Sequence, residues 1–133
     1  VRFEVLLAVI AVCAAVSLST GLLAALYLDQ SRAAARVQNG AAALAAARTA
    51  RSLEPWSTVP RFQIALIDEQ AGRLGRARRE VNAVLGMDGG DWSAWLVRSR
   101  IELRLGDVAA ARVSLRRAAS LNPGSSLFPS ITP

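Results

Sequence analysis

The chain has 133 residues, a net charge of +6 and 53% hydrophobic residues, with Ala, Leu and Val far ahead of the aromatics. That length allows one modest domain plus an appendage, and that composition favours helices over strands. Histidine is absent and Cys13 is the single cysteine. Ser-His-Asp and Cys-His chemistry, an intrachain disulfide and a zinc cluster are therefore excluded.

Residues 5–28 contain no charge and are bounded by Arg2 and Glu4 before and by Asp29 and Arg32 after. About 20 apolar residues cross the hydrocarbon core as a helix, so this run predicts a membrane span through residues 5–28. Tyr27 lies near its end as an interfacial aromatic, and Cys13 within it reads as a small buried hydrophobe. A cleaved signal would use Ser17-Leu18-Ser19, yet the apolar run continues to Leu28. Arg32, Arg36, Arg48 and Arg51 outnumber Arg2, which puts the C-terminal part on the cytoplasmic side of a bacterial inner membrane. Val1 implies either a GTG start codon or a cut within a longer chain.

Beyond the span, turn residues divide the chain into helices. Asn39-Gly40 is a break, after which 41–53 reads as a helix ended by Glu54-Pro55. Thr58 is expected to cap the next helix, which carries Pro60 in its first turn and stops at Gly72. A third starts between Arg73 and Gly75 and runs to Met87. Asp91 caps 92–105 and Asp107 caps 108–121, which Asn122-Pro123 ends. Asp88-Gly89-Gly90-Asp91 lacks the ligands of a calcium loop and reads as a turn with a helix cap. No period-two alternation suggests a strand.

Shifted by 34, the sequence repeats its landmarks: Ala43, Ala77 and Ala111; Leu53, Met87 and Leu121; Pro55, Gly89 and Pro123; Gly72 and Gly106. The inward stripe of each second helix is expected to be Ala77, Val81, Val84 and Met87, then Ala111, Leu115, Ala118 and Leu121, with Ala43, Ala47, Ala50 and Leu53 one repeat earlier. A fixed period of this length marks stacked two-helix units that bury their apolar faces on one another. The fold class is all-α: one transmembrane helix followed by a short helical-hairpin solenoid of about two and a half repeats. The boundaries expected are 1–30 for the anchor, 31–123 for the repeats and 124–133 for a tail. The first helix of the first repeat would occupy 24–38, making the span continuous with the stack. Leu127, Phe128 and Ile131 either fold back over the last helix or fray.

With Trp95 near the start and Pro123 near the close, residues 92–125 resemble the tetratricopeptide repeat (TPR). Residues 58–91 resemble it more weakly, because Arg61 stands where the family carries a large apolar residue. The resemblance implies a non-catalytic scaffold without cofactor or metal. Its partner-binding concave face would comprise Phe62, Leu66, Glu69, Gln70, Ser93, Leu96, Arg100, Leu103 and Arg104, with Val59 beside them. Phe62 and Leu66 stand where the family's carboxylate clamp has basic and amide groups, so the resemblance implies a mixed apolar and basic groove for an extended or helical peptide. Trp92 and Trp95 read as core anchors. Arg76, Arg78 and Arg79, paired with Glu80 and Asp88, and Arg116 with Arg117 make solvated basic faces. No aromatic residues interleave them, so nucleic-acid binding is not implied. The phrases at 50–55, 91–95 and 118–123 also look like the C-terminal end of actinobacterial O-antigen ligase or polymerase-like membrane proteins. In that alternative the chain belongs to a glycan-assembly protein.

Overall fold

The computed structural model describes residues 2–128, which form six helices and, among the described residues, no strand. They are α1 (Arg2–Arg36), α2 (Gly40–Leu53), α3 (Thr58–Gln70), α4 (Leu74–Met87), α5 (Trp92–Arg104) and α6 (Val108–Leu121). Packing groups them into two compact units, Val1–Pro60 and Arg61–Pro133.

The 34-residue period holds atom by atom at the helix ends. Helices α1, α3 and α5 end at Arg36, Gln70 and Arg104, and each is followed by a residue with left-handed backbone: Gln38 (φ 59°), Gly72 (72°) and Gly106 (85°). The next amide then bonds back to the carbonyl five residues earlier: Asn39 to Ala34 at 2.9 Å, Arg73 to Asp68 at 2.8 Å, Asp107 to Glu102 at 2.9 Å. This is the Schellman arrangement, which satisfies carbonyls that the helix end leaves open. Helices α2, α4 and α6 close alike, with the amides of Glu54, Asp88 and Asn122 bonded to the carbonyls of Ala50, Val84 and Ala118.

Capping follows side-chain chemistry. Asn39 Oδ1 accepts from Ala42 N and Asp107 Oδ1 from Ala110 N, while Arg73 at the equivalent position offers no acceptor. Asp91 Oδ1 accepts from the amides of Ser93 and Ala94, and Asp88 Oδ1 from Gly90 N, so 88–91 is the turn with a cap expected from the sequence. Thr58 is not the cap of α3: it is the first helical residue, and Ser57 Oγ accepts from Val59 N.

In the first unit α1 is one unbroken helix. Residues 5–19 are exposed, and from there a stripe of Ala24, Leu28 and Ser31 is buried against α2, whose Ala43, Ala46, Ala47 and Ala50 form the other side. Small residues on both faces let the backbones approach, and the buried Ser31 Oγ donates to the Ala43 carbonyl at 2.8 Å. The end of α1 thus supplies the first helix of the first hairpin and completes the two and a half repeats legible in the sequence. Cys13, expected to be buried, is exposed because among the described residues no other element covers that stretch.

In the second unit the core joins α3, α4 and α5 through Ala65, Ala77, Val81, Val84, Ala94, Val97 and Ile101. Burying side chains of this size contributes about 1.5–3 kcal/mol each for the Val and Ile members. Ser99 Oγ donates to the Ala111 carbonyl at 2.8 Å, repeating the Ser31–Ala43 bond two periods later. The expected inward stripes hold at Ala77, Val81, Val84, Ala111 and Ala118 but not at Leu115 or Met87, which are exposed. Leu115 is the counterpart of the buried Val81, yet among the described residues no helix follows α6 to cover it. Ser114, buried instead, faces α5.

Candidate functional site

The residues that the repeat pattern assigns to a concave face lie on α3 and α5 in the second unit. Phe62 and Leu66 project from α3 and are half-buried against the core cluster. Helix α5 contributes the half-buried Leu96, and Leu103, 59% exposed. Gln70 and Arg104 are exposed at the ends of the two helices.

The polar members are tied to one another. Glu69 is 7% exposed, yet its carboxylate meets the Arg100 guanidinium through two bonds, Nε to Oε1 at 3.1 Å and Nη2 to Oε2 at 2.6 Å. Arg104 Nη1 donates to the Glu69 backbone carbonyl at 2.7 Å. Those bonds to Glu69, opposed by partial burial, raise the Arg100 pKa above its ordinary value and keep the guanidinium charged. One buried carboxylate and two guanidinium groups leave a net positive charge on this patch. Ser93 is taken up at the start of α5, its Oγ 2.5 Å from Asp91 Oδ1.

Two further buried acids went unnoticed in the sequence. Asp68 and Glu102 stand one period apart at the ends of α3 and α5, and both are buried. Arg73 Nε reaches Asp68 Oδ1 at 2.6 Å, with Arg76 at 3.8 Å, while Glu102 pairs with Arg98 at 2.7 Å and accepts from Ser114 Oγ at 2.7 Å. A buried carboxylate is costly unless charge-paired and hydrogen-bonded, and both have such partners. Their signal was available: acids recurring at a spacing of 34 on an otherwise apolar face. The pairing expected for the basic run also differs, since Arg76 reaches Asp68 and Glu80 pairs with Arg61. Arg61 forms that ion pair between α3 and α4 at 3.4 Å, while its buried Nε has no partner.

Trp92 and Trp95 are half-buried, short of core positions. The Trp95 indole N–H donates to the Gly89 carbonyl at 2.9 Å, and Arg98 lies over its ring at 5.3 Å. Trp92 meets Phe128 edge-on at 6.2 Å, so at that residue the tail touches the start of α5, while Leu127 stays exposed. Ile131 lies outside the described residues.

No protein-family model and no curated protein matches the sequence. Solved structures do. The Arabidopsis OM64 TPR domain superposes with a TM-score of 0.76 at 16% identity, over 80% of this chain and 88% of that one. The first TPR of Spaghetti (RPAP3), solved with the HSP90 peptide SRMEEVD, gives 0.75 at 13%, over 79% and 83%. YrrB, a TPR protein with an unusual peptide-binding site, gives 0.73 at 21%, over 78% and 54%. At these identities the likeness defines the fold. The chain has a TPR-like fold. By length and composition α1 suffices to cross a membrane, a test that a signal sequence also passes.

Proposed function

We propose that the chain is a non-catalytic scaffold, anchored in a bacterial inner membrane by α1, that holds a peptide segment of a partner protein on the α3–α5 face. What carries the reading is the alternation on that face of apolar groups (Phe62, Leu66, Leu96, Leu103) with Arg100 and Arg104, on a fold whose neighbours include one domain bound to a peptide and one with a peptide-binding site. Because Arg100 and Glu69 satisfy one another, the charge left for a ligand is a modest positive excess, suited to a segment of apolar residues with an acid among them. Gln70 and Ser93 flank this surface as hydrogen-bonding groups.

Anchoring has separate support. The hydroxyls inside the uncharged run bond back to their own helix, Ser17 Oγ to the Cys13 carbonyl at 2.9 Å, Ser19 Oγ to Val16 at 2.8 Å and Thr20 Oγ1 to Ser17 at 2.9 Å. These three hydroxyls therefore carry no unsatisfied donor into lipid. The excess of arginine after the span favours the repeats on the cytoplasmic side. The glycan-assembly resemblance rests on its three short phrases, and in-frame spans encoded upstream of Val1 are what that alternative requires.

The test is crosslinking in membranes from a photoreactive residue at Leu103, which is exposed and outside the Glu69 pair. Capture of a defined partner that Leu96→Asp abolishes is expected. Equal capture from a control position on α6, Arg112, overturns the groove.

A further inference from the structure

The anchor and the first hairpin share one helix, and that fixes how far the hairpin stands from the lipid. Residues 5–28 are uncharged, whereas α2 covers α1 only from about Thr20 onward. Residues 5–19 rise about 22 Å at 1.5 Å per residue, short of the roughly 30 Å of hydrocarbon. Keeping Arg2 and Glu4 out of the hydrocarbon therefore carries its far edge to about residue 24, by the same rise per residue.

Gly21 lies before that edge and touches the end of α2: a Cβ placed on it would stand 3.4 Å from Glu54 Oε1. The Glu54 carboxylate is excluded from the hydrocarbon as Arg2 and Glu4 are, which draws the edge back to about Gly21 and leaves a span of about 17 residues, the short end of the spanning range. The turn after α2, residues 54–57, then stands at the hydrocarbon edge, in the layer of roughly 5–7 Å that headgroups occupy on each side. That turn presents Trp56, 70% exposed in the first unit. Exposed indole is costly in water and favoured at a lipid–water boundary, where its ring is apolar and its N–H finds a partner. Arg48, exposed on α2 about 9 Å back from Glu54 by helix rise, adds a cation on the watery side of that layer.

We infer that the α2–α3 turn is a second membrane contact, with Trp56 seated among phospholipid headgroups beside the anchor. This rests on α1 spanning the bilayer. The first hairpin is then fixed in height by two points, the helix and the indole, and cannot swing freely on its tether.

The full chain is reconstituted in phosphatidylcholine–phosphatidylglycerol vesicles and first tested by flotation. Its tryptophan emission is then measured with and without a spin label on the lipid headgroup, for the native chain and for Trp56→Phe. Co-flotation, quenching of the native chain and loss of most of that quenching in Trp56→Phe support the inference. Co-flotation with quenching equal in the two chains, or absent from both, overturns the Trp56 contact and leaves anchoring intact. A chain that stays with the aqueous fraction overturns anchoring, and this contact with it. Trp56 is exposed, so its replacement leaves the fold standing, and helix content by circular dichroism verifies that.

Discussion

Gln38 occupies a position that its two counterparts fill with glycine, and replacing it with glycine isolates a single conformational cost. Its φ of 59° lies in the left-handed region, as do those of Gly72 and Gly106. A residue with a Cβ spends about 1–2 kcal/mol there. Glycine avoids that cost but loses about 0.5–1 kcal/mol more than other residues through the greater freedom of its unfolded chain. Gln38→Gly is therefore expected to stabilise by about 0.5–1 kcal/mol, a rise in Tm of about 2–5 °C for a chain of this size. The reverse change at Gly106 meets no steric obstacle, since a Cβ there finds nothing within 4 Å. Gly106→Ala should then lose a similar amount through backbone conformation alone. Thermal unfolding in detergent micelles, followed by circular dichroism, measures both. A Gln38→Gly chain that melts at or below the native temperature refutes the reasoning, because the strain assigned to Gln38 would not exist.

Removing residues 1–38 uncovers the alanine face of α2, and melting of α2 is expected, seen as fast amide exchange at Ala43, Ala47 and Ala50; full protection there would show that α1 is dispensable. Ile101 is fully buried, so Ile101→Ala should cost about 2–5 kcal/mol in urea unfolding. Glu69→Gln and Arg100→Met, singly and together, should show a coupling of about 1 kcal/mol, between exposed and buried pairs because Arg100 is half-exposed; zero coupling would mean the pair adds nothing. Ala65 occupies the position of Ser31 and Ser99, so a hydroxyl in Ala65→Ser should donate to the Ala77 carbonyl and change stability by less than about 1 kcal/mol. A larger loss would show that the middle hairpin is built differently.

Helix ends were legible in the sequence because turn chemistry is local. Asp91 and Asp107 cap where expected, Asn39, read as a break, also caps, and α6 has the span that Asp107 and Asn122-Pro123 delimit. Gln38 was not, since nothing in its own chemistry announces a left-handed backbone; only its distance of 34 from Gly72 does. Leu115 misled because a repeat pattern assumes a following unit, and burial at that position is supplied by the next helix, not by the residue's own. The candidate face came from the family resemblance as a set of positions, which the structure places on α3 and α5. Its electrostatics were not legible. Whether Arg100 is a free cation or the partner of Glu69 depends on how α3 and α5 meet, 31 residues apart in sequence.

That pairing decides what the face can hold. Had Arg100 and Arg104 stood alone beside Phe62 and Leu66, two cations could engage a carboxylate at full strength. Glu69 weakens that possibility: its carboxylate neutralises Arg100 and takes two of its five N–H donors, and its carbonyl takes one of Arg104. A ligand acid must therefore compete with a buried internal acid already held at 2.6 Å, while an apolar side chain meets no such competitor. Glu69→Gln shifts the balance: it frees positive charge on Arg100 without changing the shape of the face. On the proposed function, that variant is expected to bind acidic peptides more tightly and apolar ones unchanged, measured by fluorescence anisotropy with labelled peptides of each kind. Unaltered affinity for the acidic peptide would place the ligand away from Arg100.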